Sequence, residues 1–340
     1  MSRGLLVLFL PEAQKRRARH GAETKVQARR GLRPEWEVGD SMSLGTTIFG
    51  AFRRSSSAVG VVIAVAFTTM LLSTAYNLLA FNPDEFANRP DVQEYENLLE
   101  NVSTMDGWER TQYYWANNLK VAWISGLATP SYFGFNSMVA TNYSIGTALT
   151  YVHHTWGPEA ALAFSAQIFV HGILELTGFY IIAAITLRAA WNIWKGLGRL
   201  VEITGKGGKR WSWMLTKREK REIAKHLPAI KILVRDFVVL FALGAFFIFL
   251  AAPVEAYVSP EVGWVFFSDP LMPIIFLTSV GIFYASIVGR TLSSLRRDVN
   301  SVWRDVRCMF EGRWRPAQLS LFVFMIFFFM TLIRIILGGI

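Results

Sequence analysis

Long apolar runs recur along this chain, and they constrain its fold more than any other feature. A helix needs about 20 mostly apolar residues to cross the hydrocarbon core of a bilayer, because each residue advances it by about 1.5 Å. The chain is 52% hydrophobic with a mean hydropathy of +0.32, which is unusual for a soluble protein of 340 residues. The sequence therefore predicts an all-α fold, a polytopic membrane bundle of about seven spans. The predicted spans are Ala58–Phe81, Tyr113–Thr129, Tyr132–Val152, Ala160–Leu187, Phe237–Val254, Pro270–Gly289 and Gln318–Leu337.

The second and third spans are less apolar than the others. They contain several asparagines, including Asn117, Asn118 and Asn142, and amide groups are costly where they face lipid. Two interpretations remain open. The two segments cross the membrane with their polar groups packed inside the bundle, or they form a re-entrant pair. Either one returns the chain to the same side, so the remaining topology is unaffected.

Lysine and arginine are concentrated in three segments between the apolar runs. Segment 1–56 holds 11 of them, 188–236 holds 13 and 290–317 holds seven, which is 31 of the 35 in the chain. The positive-inside rule assigns such segments to the cytoplasm. We therefore predict a multi-pass protein of the cell membrane with a cytoplasmic N-terminus and an extracytoplasmic C-terminus. Segment 82–112, with eight acidic residues, is predicted to lie outside.

The basic residues also bear on the partners of the protein. The net charge is +10, and because the basic residues flank apolar runs, they predict contact with anionic lipid headgroups and not with nucleic acid. Two of the basic segments carry apolar residues at helical spacing. These stripes either pack on the cytoplasmic ends of the spans or dock a soluble partner. They comprise Ile223, Leu227, Ile230 and Leu233, and Leu292, Leu295, Val299, Val302, Val306 and Met309.

Ionisable side chains are few inside the predicted spans, and each is a functional candidate because a charge in the membrane is costly. Glu175 lies near the middle of the fourth span, and His171 precedes it by one helical turn on the same face. Such a polar core can satisfy its own hydrogen bonds, carry a substrate or a proton, or form a metal or hydrolytic site, and these alternatives stay open. The predicted intramembrane polar core is Asn117, Asn118, Lys120, Asn142, His171, Glu175 and Glu255.

Motifs typical of enzymes and cofactor sites are missing from the sequence. Gly-x-Ser-x-Gly, Cys-x-x-Cys and a phosphate-binding Gly-Lys-Ser/Thr loop are absent, and Cys308 is the only cysteine. His171 and Glu175 supply two metal ligands, and His-Glu-x-x-His is absent. We therefore predict no catalytic residues, no metal and no cofactor.

Small residues and prolines mark predicted helix breaks and close helix contacts. Glycines within the second and third spans let helices approach closely, so that their asparagines can bond across the interface. The residues assigned to breaks and packing are Gly126, Pro130, Gly134, Gly146, Gly172 and Pro260.

Several of these residues stand together in an order that resembles the stage II sporulation protein M family. The paired Asn117-Asn118 opens the second span, the Gly/Pro-rich break follows, and Asn142 and Gly146 match a third segment, although Tyr143 stands where the family has glycine. His171-Gly172-x-x-Glu175 resembles a His-Gly-x-x-Glu signature. Residues 251–260 resemble its Ala-x-x-x-Glu-x-x-x-x-Pro signature, with Glu255 and Pro260 in place.

The resemblance covers about residues 55–262 and implies a division of the chain. A basic cytoplasmic tail at 1–56 precedes a family-like membrane domain at 57–262, which carries the basic insert 188–236. Two additional spans follow at 263–340 with the basic loop 290–317 between them. Translation from Met42 in place of Met1 remains an alternative for the tail.

The resemblance implies a function more modest than catalysis. The family member of sporulating bacteria is a membrane component of an engulfment complex with cell-wall hydrolases and looks like a scaffold. We therefore expect a non-enzymatic scaffold or anchor for protein partners of the cell envelope. The sequence does not determine the oligomeric state of the protein. The alternatives are a transporter or lipid-handling permease with a polar intramembrane site around Glu175, and an intramembrane hydrolase that uses His171 and Glu175.

Overall fold

The computed structural model describes residues 43–80, 90–205, 221, 224–311 and 316–336. Regular structure in these residues is entirely helical, which confirms the predicted all-α fold. A 3-10 turn at Thr129–Ser131 joins α3 to α4, and a π-helical turn at Val254–Val258 joins α6 to α7. The helices are α1 Leu44–Leu79, α2 Pro90–Ser103, α3 Gly107–Leu127, α4 Phe133–Trp156, α5 Pro158–Gly205, α6 Leu227–Pro253, α7 Ser259–Ser268, α8 Leu271–Phe310 and α9 Pro316–Ile336.

Five helical segments are long and apolar enough to cross a membrane, which confirms the predicted helical membrane bundle. Helices α3 and α4 carry more polar residues and are not among the five, so the number of crossings stays a prediction. Residues 1–42 of the predicted basic tail and residues 206–220 and 222–223 of the basic insert lie outside the described residues. The five segments are Leu44–Leu79, Pro158–Glu202, Leu227–Ser268, Leu271–Cys308 and Gln318–Ile335.

Helices that carry the basic segments meet at one end of the bundle, here called the basic end and defined by Arg54, Arg188, Asp236 and Ser294. Asp236 of α6 accepts two hydrogen bonds from Arg54 of α1, at 2.8 and 2.7 Å, and one from Arg188 of α5 at 2.9 Å. Ser294 of α8 and Ser56 of α1 hydrogen-bond at 3.3 Å. The described parts of the three basic segments therefore share one end, and its assignment to the cytoplasm stays a prediction.

The hairpin of α3 and α4 runs the full depth of this bundle. Helix α3 begins where Gly107 packs on the ring of Tyr257, in the π-helical turn at the opposite end. The hairpin turn lies at the basic end, because the Trp194 indole donates a 2.7 Å hydrogen bond to the Pro130 carbonyl. Trp194 is six residues beyond Arg188 on α5. Helices α3 and α4 therefore extend from one end of the bundle to the other.

Helix α5 occupies the centre of the bundle, where α4, α6, α7, α8 and α9 pack against it. Its closest contact is with α6: a methyl group at Gly178 would lie 2.6 Å from the Gly244 carbonyl oxygen, and one at Gly244 would lie 2.8 Å from the Gly178 carbonyl oxygen. Two facing glycines therefore allow the two backbones to touch, as small residues do between membrane helices.

Two helices extend well beyond the apolar thickness at the basic end. Helix α5 has 48 residues and α8 has 40, so they are about 72 and 60 Å long, against about 30 Å of hydrocarbon. The sequence predicts spans that end at Leu187 and Gly289, whereas both helices continue for about five turns. A search for apolar runs finds only the part of a helix that faces lipid. Both helices continue past that part, because no proline follows Leu187 or Gly289 closely enough to end them there.

A candidate polar site beside a helix break

The candidate site lies where α6 gives way to α7. Pro260 has no backbone N–H and cannot donate the hydrogen bond that would continue a regular α-helix. The chain widens instead into the π-helical turn Val254–Val258, where the Ser259 N–H bonds to the Val254 carbonyl. Such turns are rare and are frequent at functional sites. This one carries Glu255 on the turn and places Ser259 directly after it.

Three side chains from α5 and the π-helical turn converge here. His171 Nε2 lies 3.8 Å from Glu255 Oε1 and 4.0 Å from Glu175 Oε2. One nitrogen or oxygen from each of the three residues lies within 4.8 Å of the others. The side chains retain only 14% (His171), 17% (Glu175) and 19% (Glu255) of their exposure. We call these three residues the His–Glu–Glu cluster.

Hydrogen bonds from Ser259 fix the orientation of the histidine ring. The Ser259 hydroxyl donates its only proton to the Val254 carbonyl at 3.3 Å. His171 Nδ1 lies 3.0 Å from the same hydroxyl oxygen, and the direction of this hydrogen bond depends on the tautomer of the ring. In the tautomer that carries its proton on Nδ1, the ring donates to Ser259, and the lone pair of Nε2 faces the two carboxylates.

The two carboxylates lack a basic partner. Within the described residues, neither Glu175 nor Glu255 forms an ion pair with a lysine or arginine. Glu255 Oε2 is buried and accepts no hydrogen bond there. Tyr114 of α3 lies near both Glu255 and Arg110. A buried oxygen without a donor is costly, so the cluster has the composition of a site that is completed by something else.

The remaining residues of the predicted polar core lie elsewhere. Asn142 is buried on α4, where the Tyr180 hydroxyl donates to its Oδ1 at 3.1 Å and its Nδ2 donates to the Met138 carbonyl at 2.9 Å. On α3, Asn117 and Lys120 are exposed and Asn118 is half-buried. The structure therefore joins His171, Glu175 and Glu255, whereas Asn142 is bonded to Tyr180 and Met138, and Asn117 and Lys120 are exposed.

The predicted packing glycines differ in how closely neighbouring atoms approach them. A methyl group at Gly126 would meet the Phe241 ring at 2.7 Å, at Gly134 the Thr186 hydroxyl at 2.6 Å, and at Gly146 the Met70 carbonyl at 2.7 Å. Gly172 has no neighbour closer than 3.5 Å. Pro130 lies in the 3-10 turn between α3 and α4, and Pro260 at the start of α7.

Sequence reasoning missed two features of this geometry. Ser259 was part of a family-like motif, yet nothing in the sequence marked it as the partner of His171, which is 88 residues away. The ion-pair cluster Arg54–Asp236–Arg188 was missed as well. Its signal was weak: Asp236 is an acidic residue among basic ones at the start of an apolar run.

Two cavities lie between the helices, away from the His–Glu–Glu cluster. One of about 430 Å³ is at the basic end, and its wall includes Arg188, Trp191, Lys195, Asp298 and Asp305. The other, of about 360 Å³, is lined mostly by apolar side chains of α1, α5, α6 and α8.

Comparison with known proteins identifies the family. The profile of the stage II sporulation protein M family matches residues 56–260, which is more than half of the chain and includes the His–Glu–Glu cluster. No curated protein and no solved structure matches the chain. The profile confirms the resemblance carried by His171-Gly172-x-x-Glu175 and by Glu255 and Pro260. The chain therefore belongs to the stage II sporulation protein M family.

Proposed function

We propose that this protein is a non-enzymatic membrane scaffold that holds an acidic protein partner of the cell envelope at its basic end. The observation that carries the proposal is the extension of α5 and α8, each about twice as long as the hydrocarbon core is thick. A helix that only anchors the chain needs no such length. An extension of this kind offers a surface beyond the lipid.

The extension of α8 has the composition of a protein-binding surface. Val299 and Trp303 are 55% and 67% exposed. Exposed arginines stand beside them on the same helix: Arg296, Arg297, Arg304 and Arg307. Leu295, Val302 and Val306 of the predicted stripe are half-buried, so the stripe is divided between the bundle and the exposed surface. Apolar anchors with an arginine rim are typical of interfaces, and the arginines favour an acidic partner.

Affinity isolation of the full-length protein in mild detergent, followed by mass spectrometry, tests the scaffold. We expect an envelope protein in constant ratio to the bait. The variant Trp303→Ala and the double variant Arg296→Glu/Arg297→Glu should each lose it. Arg296→Lys/Arg297→Lys, which keeps the charge, and Ile282→Ala, which changes an exposed residue in the lipid-facing part of α8, should retain it.

A second candidate function is a lipid-handling permease with its polar site around Glu175. The observation that favours it is the His–Glu–Glu cluster beside a broken helix, an arrangement common at transporter binding sites. The same isolation separates the two functions. A protein recovered without partners but with one defined lipid contradicts the scaffold and supports the permease.

A further inference from the structure

We propose that His171, Glu175 and Glu255 bind one divalent metal ion of the kind that prefers nitrogen and oxygen ligands, such as Zn²⁺ or Mn²⁺. The three residues supply one imidazole nitrogen and two carboxylates. Imidazole nitrogen and carboxylate oxygen are both zinc ligands, and three protein ligands with a further position for water is the usual number at catalytic zinc sites. The inference concerns a site within the bundle and is independent of the partner proposed for the basic end.

The first argument is the orientation of the imidazole. A histidine that ligates a metal usually donates its other ring N–H to a fixed acceptor, which sets the tautomer and aims the lone pair. His171 has a fixed polar partner of this kind: Nδ1 lies 3.0 Å from the Ser259 hydroxyl, to which it donates in the tautomer that binds a metal through Nε2, and Nε2 faces the two carboxylates. Ser259 is itself held by its bond to the Val254 carbonyl. The support for the ring thus comes from the π-helical turn that also carries Glu255.

The second argument is charge. His171 Nε2 lies 3.8 Å from Glu255 Oε1 and 4.0 Å from Glu175 Oε2, and neither carboxylate has an ion-paired lysine or arginine in the described part of the chain. Glu255 Oε2 is buried without a hydrogen-bond donor. Two ionised carboxylates inside a membrane protein are costly, whereas two carboxylates with a divalent cation form a neutral group.

The third argument is distance. In a tetrahedral site with metal–ligand bonds of about 2.0–2.2 Å, ligand atoms lie about 3.3–3.6 Å apart. The two separations from His171 Nε2, at 3.8 and 4.0 Å, must therefore shorten by a few tenths of an ångström. The ligand oxygens of the two glutamates lie within 4.8 Å and must approach by up to about 1.5 Å. Bond rotations in the two glutamates supply such a shift without movement of the helices.

Metal titration of the full-length protein tests the inference. The protein is purified in detergent through a tag without histidine, treated with EDTA and titrated with Zn²⁺ by calorimetry. We expect one tightly bound ion per chain, and a lower thermal unfolding midpoint after chelation. Glu255→Gln and His171→Asn should each remove that ion. An unchanged number of bound ions in Glu255→Gln, or no saturable binding in the wild type, overturns the proposal.

Two control variants separate this site from surface binding. Glu261→Gln changes an exposed carboxylate on α7, six residues after Glu255, and should leave the titration unchanged. His154→Asn breaks up the neighbouring rings of His153 and His154, whose centroids are 5.2 Å apart. This variant should retain the tightly bound ion. Loss of that ion in His154→Asn would place the metal at the surface and contradict the inference.

Two further measurements do not depend on the folding of the ligand variants. X-ray absorption of the Zn²⁺-loaded wild type should show one imidazole nitrogen together with carboxylate oxygens, and a spectrum without imidazole overturns the inference. Ser259→Ala keeps all three ligands but removes the group that orients His171. It should bind one ion with affinity weakened about 10- to 100-fold. An unchanged affinity would contradict the orienting role of Ser259.

Discussion

Helix α6 carries one buried carboxylate, Asp236, and a second, Glu255, follows just after its end; the two have opposite surroundings. Asp236, at the basic end, is fully buried and accepts hydrogen bonds from two arginines. Glu255, in the π-helical turn after α6, faces His171 Nε2 and a second carboxylate; Tyr114 is a hydrogen-bonding neighbour, and Glu255 Oε2 has no donor among the described residues. Both oxygens of the first carboxylate accept hydrogen bonds from arginine, whereas the second carboxylate has no ion-paired arginine or lysine in the described part of the chain.

This difference separates a structural cluster from a functional one. The Arg54–Asp236–Arg188 cluster ties α1, α5 and α6 together at the basic end. The His–Glu–Glu cluster carries two negative charges when both carboxyls are ionised, and Glu175 is separated from Arg188 by about 20 Å along α5. A buried charge without a partner in the fold is the stronger indication of a ligand.

The largest effect should come from breaking the satisfied carboxylate. Asp236→Asn leaves Arg54 and Arg188 without their anion, and we expect a loss of about 3 kcal/mol of stability. The two arginine side chains keep 23% and 19% of their exposure, which places the loss toward the lower part of the range for a broken buried pair. A lower thermal unfolding midpoint in detergent, the same with and without EDTA, would bear this out.

Asp298→Asn is the matched control for that variant, because Asp298 is an exposed carboxylate at the same end of the bundle. It should leave the unfolding midpoint unchanged. If Asp236→Asn were as stable as the wild type, the three-residue cluster would not hold the helices together. The structural role assigned to Asp236, in contrast to Glu255, would then be wrong.

An intermediate effect should come from the contact that supports both carboxylates. Gly178→Ala places a methyl group 2.6 Å from the Gly244 carbonyl oxygen and 2.8 Å from Ile248 Cγ1, so α5 and α6 must separate. We expect a loss of about 1–3 kcal/mol, as for other overpacked sites. Because α5 carries Arg188 and Glu175, the variant should also weaken Zn²⁺ binding. Both quantities are measured on the same protein, by thermal unfolding and by calorimetry.

The same substitution at Gly196, also on α5, provides the control. A methyl group there meets no atom within 4 Å, so Gly196→Ala should be neutral or stabilise the helix by up to about 1 kcal/mol. A stability equal to that of the wild type in Gly178→Ala would show that the two helices can separate without cost.

The two carboxylates also show which features of the structure could be predicted from the sequence and which could not. The helical membrane fold and the family could be predicted, because apolar length and short ordered motifs are local properties of the chain. His171 and Glu175 could be paired, since they are one turn apart. Their meeting with Glu255 depends on how α6 packs against α5, and that depends on Gly178 and Gly244, which no local pattern aligns.

The polar residues of α3 show the converse limit. Asn117 and Lys120 were assigned to the core because a polar group in an apolar run is costly, and both are exposed in the structure. The free-energy cost of burying a polar group predicts that the group must lie in a polar environment. It does not say whether a neighbouring side chain or the membrane–water interface provides that environment. The sequence likewise places Asp236 at the edge of a basic segment, and nothing in that position predicts that its side chain is fully buried.

The smallest effect on stability should come from Glu255→Gln, and its sign distinguishes the two carboxylates most sharply. Asp236→Asn and Glu255→Gln make the same isosteric change, from carboxylate to amide. The first removes the carboxylate that Arg54 and Arg188 share. The second removes a negative charge that has no basic partner in the described residues, so in EDTA the variant should be as stable as the metal-free wild type, or more stable. With Zn²⁺ present, the wild type should gain stability and Glu255→Gln should not, because only the wild type of these two binds the ion.

Thermal unfolding of both variants with and without Zn²⁺ measures this, with Glu261→Gln as the control that responds like the wild type. If Glu255→Gln lost as much stability in EDTA as Asp236→Asn does, Glu255 would be satisfied within the fold, and the site would be structural.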